Sequence, residues 1–192
     1  MSHATTAVIG GSVVDEARHP FDNAEPLWSK FMLAYRLAQF GPHLARHRAI
    51  MCPNFVRQIE SAVGATGSEI LQCILLRTEL FRSVQSWFRD FDLIAMPTLS
   101  RTALAIDHDH FQPIEIDGQV VDTCRKAWYP YTLPFNFTGH PAISLPCGFG
   151  DDGLPIGLQL VGRPGPDAML RQVAAVFEML QPWADRWPPD FG

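Results

Sequence analysis

The segment from residue 134 to residue 163 constrains the fold of this chain more than any other part of it. Two apolar runs, residues 142–145 and 156–161, flank a loop that is rich in glycine. Asp152 and Gly153 in this loop supply the positive φ angles that a tight reversal needs. Short apolar runs of this kind are typical of strands buried on both faces. The sequence therefore predicts two neighbouring sheet strands joined by a turn.

Helical periodicity is found on both sides of this strand pair. Residues 27–40 form an amphipathic pattern that we expect to end at Gly41 and Pro42. Asp167 is a candidate N-cap for a final helix of roughly 14 residues before Pro182.

A third helix is predicted in the middle of the chain. Thr66 and Glu69 have the spacing of a capping box, and the helix that follows is predicted to reach Phe88. Its apolar stripe is predicted to consist of Ile70, Ile74, Phe81, Val84 and Phe88.

Further strands complete an α/β pattern. Residues 92–96 (DLIAM) are typical of a buried strand, and residues 12–15 form a brief extended candidate. Residues 97–133 are predicted to be a long irregular connection, rich in aromatic side chains, that forms a cleft wall. The order of elements predicts an α/β layer structure, with a sheet flanked by helices.

Composition excludes several classes of function. The 192 residues are 47% hydrophobic, and the net charge of −5 leaves no basic face for nucleic acid. No apolar run reaches the length of a membrane span and the first residues lack a signal-peptide pattern, so we expect a cytoplasmic protein without membrane contact. The four cysteines, which include no C-x-x-C pair, are predicted to be reduced, packed thiols.

The other local motifs favour structural interpretations, and no cofactor is predicted. Gly148, Gly150 and Gly153 match a dinucleotide fingerprint but lead into a strand instead of a helix. His43 and His47 could face one metal ion, but no acidic third ligand is near. Residues 107–110 (DHDH) are interpreted as a solvated loop, so no metal site is predicted.

Ser144 lies close to His140 in the sequence, a pairing that invites a hydrolase interpretation. Ser144 lacks the G-x-S-x-G elbow of a nucleophilic serine. We expect it to lie in the middle of a strand and to point into a core.

The chain resembles the C-terminal portion of the amidase-signature enzymes. The resemblance rests on FDLIAMPT at residues 91–98, PFNFTGHPAISLP at 134–146, GLPIGLQLVGR at 153–163 and the final helix. The best match covers residues 91–188. We therefore expect a partial amidase-signature domain over residues 27–192, preceded by a poorly assigned segment, residues 1–26. The resemblance implies a mixed β-sheet flanked by helices, and hydrolysis of carboxamides through a serine acyl-enzyme.

The resemblance also implies that the catalytic groups lie elsewhere. The family's triad of two serines and a lysine, one serine in a cis peptide, comes from the N-terminal half. The two lysines here, Lys30 and Lys126, lack a Ser/Gly-rich partner segment. Gly10, Gly11 and Ser12 match only a short part of the family's Gly/Ser-rich signature. No catalytic residue is assigned, and the isolated chain is predicted to be inactive.

The residues carried over from the family are cleft residues. Tyr131 and Thr132 are predicted to line the substrate site, and Asn136 to pin the backbone at the turn. The alternative, that all three only pack, stays open. The loop after Met96, Pro97 and Thr98 is expected to border the cleft. Related tRNA-dependent amidotransferase subunits tend to have an acidic residue where Tyr129 falls here, so an apolar or aromatic amide is favoured.

Two functions therefore remain. The first is the C-terminal portion of an amidohydrolase that converts carboxamides to carboxylate and ammonia or amine, active only with an N-terminal half. The alternative is a non-catalytic, amidase-like binding or interaction module. The expected partners are an N-terminal amidase half, or another copy of the chain through self-association, and a small-molecule amide.

Overall fold

The computed structural model describes residues 7–9, 12–14, 24–165 and 167–185. A 3₁₀ turn, Arg48–Ile50, joins the first two helices. In chain order, the elements are β1 (Ala7–Ile9), β2 (Ser12–Val14), α1 (Ala24–His47), α2 (Pro53–Glu60), α3 (Gly67–Trp87), β3 (Ile94–Pro97), β4 (Pro113–Ile116), β5 (Gln119–Thr123), α4 (Cys124–Ala127), α5 (Leu133–Thr138), β6 (Ala142–Phe149), β7 (Pro155–Val161) and α6 (Ala168–Leu180).

A three-stranded antiparallel sheet, in the order β3-β7-β6, organises the described structure. Val161 of β7 lies opposite Ile94 of β3 and Ala142 of β6. One face packs on α3 and α5 around Val84, Phe135 and Val161. The opposite face packs on α6, through residues that include Leu145, Leu158, Leu160, Leu170 and Ala174. The predicted α/β class and the predicted hairpin of β6 and β7 are confirmed. In the turn, Gly153 has the predicted positive φ, but Asp152 does not, so that part of the prediction was wrong.

Burial on both faces holds for only part of the sheet. Gln159, Leu160 and Val161 at the end of β7 are buried. In β6, however, Leu145 is the one buried residue, so the prediction of two-sided burial is wrong for this strand. The reason is that β6 lies at an edge of the described sheet, where Leu145 and Ile143 pack in the cluster with α6.

Helix α1 continues past the predicted stop at Gly41 and Pro42 to His47, so this boundary was wrong. Proline removes one backbone donor from a helix, a cost that tertiary packing can offset. Here the continuation of α1 packs against α2, where the Phe40 and Phe55 rings meet edge to face with centroids 5.1 Å apart. Arg36 also donates a hydrogen bond to the side chain of Gln58 in α2.

The predicted capping box at the start of α3 is confirmed. The Glu69 backbone N–H donates to Thr66 Oγ1 at 3.2 Å, and the Thr66 N–H donates to Glu69 Oε2 at 2.9 Å. The buried face of α3 is formed by Cys73, Leu80 and Val84. Ile74 is exposed, so its place in the predicted stripe was wrong.

The final helix agrees with its prediction in position. Helix α6 has 13 residues and follows Asp167 at the N-cap position, although the described residues show no capping hydrogen bond from that carboxylate.

Residues 97–133 are more regular than predicted. They contain the β4–β5 hairpin and the short helix α4. Asp117 and Gly118 form the hairpin turn with φ angles of 52° and 75°. An Asp-Gly pair between extended residues is a hairpin signal, so this element could have been found from the sequence.

The remaining predictions have mixed outcomes. Residues 12–14 are extended, as predicted, and pair with β1. Gly10, Gly11 and Asp15 lie outside the described residues. Cys73 and Cys124 are buried thiols that form no disulfide within the described residues, but Cys52 and Cys147 are exposed, so the packed interpretation was wrong for these two. No helix in the described ranges is long and apolar enough to cross a bilayer.

Candidate functional site

A cleft of about 610 Å³ opens at the end of strand β3. This volume lies within the roughly 300–1,000 Å³ typical of small-molecule sites. The loop that follows β3 supplies one wall, and the β6–β7 hairpin supplies the floor. The lining residues are Pro97, Thr98, Leu99, Ser100, Arg101, Thr102, Ala103, Trp128, Ser144, Pro146, Pro155, Ile156 and Gly157.

The cleft forms where the helical cover of the sheet ends. Ser144 lies opposite Gln159 on the sheet face that α3 and α5 cover nearer to Val161. Gln159 is still buried, and its Nε2 donates to the Tyr131 carbonyl at 2.9 Å. Gly157, two residues before Gln159 in β7, and its neighbours lie beyond the part of the sheet that α3 and α5 cover, and they line the cleft.

Two hydroxyl groups form the polar centre of the cleft. Thr98 Oγ1 and Ser144 Oγ lie 2.6 Å apart and share a hydrogen bond. A Cβ atom on Gly157 would lie 2.7 Å from the first oxygen and 2.8 Å from the second, so only glycine leaves room for this arrangement. Ser144 is exposed, which makes the prediction that it points into a core wrong.

The wall of the cleft is fastened to the segment around α4. The Ser100 backbone N–H donates to the Trp128 carbonyl at 2.9 Å. The indole Nε1 of Trp128 in turn donates to the Arg101 carbonyl at 3.3 Å. These bonds place an aromatic ring at the edge of the cleft. The loop after β3 therefore borders a cleft, as the sequence led us to expect.

Asp152 anchors the other end of the wall. The Thr102 hydroxyl donates to its carboxylate, and the Leu154 backbone N–H donates to the same group at 3.0 Å. These hydrogen bonds hold the pKa of Asp152 below its usual range, and the bond from Thr102 has the largest effect. Asp152 thus stays an anion that joins the wall to the β6–β7 turn.

The three residues predicted from the resemblance lie beside the cleft lining and not in it. Tyr131 offers its carbonyl to Gln159, and Thr132 Oγ1 donates to the Tyr129 carbonyl at 3.2 Å. Asn136 lies in α5 with an exposed side chain. None of the three is among the residues that line the cleft. Their roles at the substrate stay predictions.

Both lysines of the chain form ion pairs at the surface. Lys30 Nζ lies 2.8 Å from Glu69 Oε1, and Lys126 Nζ lies 2.8 Å from Asp122 Oδ2. The hydrogen bond to each carboxylate raises the pKa of the lysine. Each ammonium group therefore retains its proton more firmly than a free lysine does.

His140 lies away from the cleft although Ser144 is near it in sequence. Its ring stacks on Phe88 and is also close to Phe81, with centroids 5.7 Å and 4.9 Å away. Nδ1 lies 2.8 Å from Thr138 Oγ1, and Nε2 lies 3.2 Å from Gln85 Oε1. Burial lowers the pKa of His140 to about 4. This neutral imidazole belongs to the core between α3 and α5.

The histidine pair noted in the sequence is exposed, but the DHDH loop is only partly solvated, because His108 Nε2 is buried without a hydrogen-bond partner among the described residues. His43 and His47 lie on the last turns of α1 with ring centroids 6.3 Å apart. Asp109 pairs with Arg57 at 2.7 Å and accepts the Phe111 N–H at 2.9 Å. In the described part of the chain, no group of three or more His, Cys, Asp or Glu side chains could hold a metal ion.

The architecture is that of the amidase-signature enzymes. A solved bacterial aryl acylamidase of that class matches with a TM-score of 0.69 and 26% identity, over 85% of this chain and 35% of that chain. The Amidase family model matches residues 49–170. The chain therefore belongs to the amidase family, as the resemblance implied.

Two curated relatives give the extent of the match. Acylamidase of Rhodococcus erythropolis is 28% identical over 186 residues, which are 94% of this chain and 38% of the relative. The 6-aminohexanoate-cyclic-dimer hydrolase of Paenarthrobacter ureafaciens is 34% identical over 140 residues, which are 68% of this chain and 27% of the relative. The chain thus spans 27–38% of the length of these relatives.

Proposed function

We propose that this chain forms the substrate-cleft wall of an amidohydrolase that converts carboxamides to carboxylate and ammonia or amine. The observation that carries the proposal is the cleft at the end of β3. It combines an aromatic edge at Trp128 with a hydroxyl pair on a largely apolar floor. Such a mixture of apolar surface and a few placed polar groups suits a small organic substrate.

The predicted positions at α5 form part of this proposal. Ser144 lies opposite Gln159 in the sheet, and Gln159 holds the Tyr131 carbonyl. The backbone of Tyr131 is thereby fixed next to the inner end of the cleft. We propose that Tyr131 and Thr132 contact the substrate there, with Asn136 supporting the turn.

We further propose that the chain alone does not catalyse amide hydrolysis. A lysine that acts as a general base needs a pKa lowered toward the working pH. The ion pairs of Lys30 and Lys126 act in the opposite direction. Removal of a nucleophile and base from a serine hydrolase costs on the order of 10⁶ in rate. We infer that an N-terminal amidase half must supply both.

Exposed apolar surface supports such a partner. Leu71 and Leu75 on α3 are 64% and 68% exposed, and Met179 and Leu180 on α6 are 74% and 75% exposed. Within the described sheet, β3 and β6 each have an unpaired edge. Apolar patches and free strand edges favour association. We therefore expect the chain to self-associate alone and to become monodisperse with an N-terminal half.

The test is release of ammonia or amine from a panel of small aryl and aliphatic amides, both primary and secondary. The chain is assayed alone and after co-expression with the N-terminal half of a related amidase, and that half alone is the control. Activity in the mixture only is expected, and Trp128→Leu in the chain should lower it. Turnover by the chain alone contradicts the proposed division of roles. Binding of amides without activity in the mixture favours a non-catalytic binding module.

A further inference from the structure

The hydroxyl pair of Thr98 and Ser144 has an unused hydrogen-bonding capacity. Each hydroxyl has one proton to donate and lone pairs to accept. One proton is used between the two oxygens, which are 2.6 Å apart. Among the described residues, neither oxygen makes a further hydrogen bond. The pair therefore presents one O–H donor at one end and an accepting lone pair at the other.

This pattern is complementary to one edge of a carboxamide. One hydroxyl of the pair donates its proton to the other, so its own oxygen can accept an N–H from a ligand. The second hydroxyl can then donate its proton to the ligand's carbonyl. The N–H and C=O of a primary carboxamide lie on the same edge and meet both ends of the pair. In a trans secondary amide these groups point in opposite directions. A trans secondary amide therefore reaches only one end.

We propose that Thr98 and Ser144 together select a primary carboxamide group in the cleft. This inference rests on the proposed function in one respect, namely that the cleft accepts amides. It adds the class of amide and the two side chains that recognise it.

The surroundings of the pair favour selectivity. The Thr98 backbone N–H donates to the Gly157 carbonyl at 2.8 Å, which continues the β3–β7 pairing and fixes the threonine beside β7. Gly157 leaves room for both oxygens, because a Cβ atom at this position would lie only 2.7 Å and 2.8 Å from them. The lining side chains Leu99, Pro146 and Ile156 are apolar, and the polar lining side chains Ser100, Arg101 and Thr102 each donate a hydrogen bond elsewhere in the protein. A preorganised pair in such surroundings does not have to be ordered when the ligand binds.

The experiment measures binding of three matched probes to the purified full chain. Benzamide has the complete N–H and C=O edge, N-methylbenzamide has a trans amide, and N,N-dimethylbenzamide has no N–H. Dissociation constants are obtained from the backbone amide NMR shifts of Thr98, Ser144 and Gly157. A hydrogen bond changes affinity by roughly threefold to tenfold. Benzamide should therefore bind about threefold to tenfold more tightly than either methylated probe.

Two variants and one control assign this preference to the pair. Thr98→Val and Ser144→Ala each break the chain of hydrogen bonds, so the preference should fall to about one in both. Thr78→Val removes an exposed hydroxyl on α3, outside the cleft lining, that donates to the Ile74 carbonyl, and it should retain the preference. A thermal melt of each variant shows that it is folded.

Three results would overturn the inference. They are equal binding of the three probes by the unaltered chain, a preference that persists in both variants, and no shift at these amides with benzamide at about 10 mM. Release of ammonia from primary amides and of amine from secondary amides, by the mixture with an N-terminal half, is measured separately. The proposed function can therefore succeed where this inference fails, and the two failures are distinguishable.

Discussion

Lowering the pH from 7 to 5 is expected to weaken the folded state through one side chain, His140. The imidazole is only 5% exposed and lies among phenylalanine rings. Gln85 Oε1 can only accept, so Nε2 carries the proton and Nδ1 accepts from the Thr138 hydroxyl. The neutral ring is thereby fully satisfied, and its protonation would place a charge in the core.

The magnitude follows from the pKa in the two states. Burial lowers the pKa of His140 from 6.5 to about 4, whereas the unfolded chain retains the ordinary value. Between these pH values the unfolded state binds more protons, so stability is highest above pH 6.5 and falls as the pH falls toward 4. At pH 5 the free energy of unfolding should be about 2 kcal/mol lower than at pH 7.

The titration of carboxylates does not mask the effect of His140 between pH 5 and pH 7. The pKa of Glu69 is lowered from 4.5 to about 2, chiefly by its hydrogen bond from Lys30. The stability that this group contributes is present above pH 4.5 and is lost only as the pH falls further. The interval from pH 5 to pH 7 therefore reports mainly on the histidine.

The assay is urea denaturation at four or five pH values between 5 and 7. His140→Gln should make the free energy of unfolding nearly independent of pH in this interval. His43→Gln, on the exposed side of α1, is the matched control and should retain the full dependence. If the free energy of unfolding of the His140→Gln variant still depended on pH as strongly as that of the unaltered chain, the reasoning would be refuted, because the dependence would then arise from other groups.

Three further substitutions test the packing around the sheet, each by urea denaturation at pH 7. Gly157→Ala should cost about 1–3 kcal/mol, because its Cβ would lie 2.7 Å and 2.8 Å from the two cleft hydroxyls. Gly139→Ala should cost about 1 kcal/mol because the residue ends α5 with a φ of 80°. Gly67→Ala, with open space around it, is the control for both and should not destabilise the fold. Gln159→Leu should cost about 1–3 kcal/mol, since the Tyr131 carbonyl loses its donor. A loss in these variants no larger than that of the control would contradict the packing argument.

The elements that the sequence predicted well are those encoded locally. The capping box at Thr66 and the turn at Gly153, with a φ of 75°, need only residues a few positions apart. The α/β class follows from the periodicity of such segments. The β4–β5 turn at Asp117 is equally local, and it lies within residues 97–133, which are predicted to be irregular.

The elements that were missed depend on distant parts of the chain. Pro42 stays helical because α2 supports the last turns of α1. Ser144 is exposed because the helices cover only part of the sheet, which an apolar run cannot reveal. Thr98 and Ser144, 46 positions apart, meet only because β7 pairs with both β3 and β6. The cleft border was therefore predictable, but its polar centre was not.

The central position of β7 ties the alignment of the sheet to the chemistry of the cleft. A slip of β7 by a single residue would turn every one of its side chains to the opposite face. Ile156 or Leu158 would then occupy the place of Gly157 and push the two hydroxyls apart. A correctly formed carboxamide-binding pair thus shows that the hairpin has its native register. We expect a change that loosens the hairpin to reduce the preference among amide ligands before the protein unfolds.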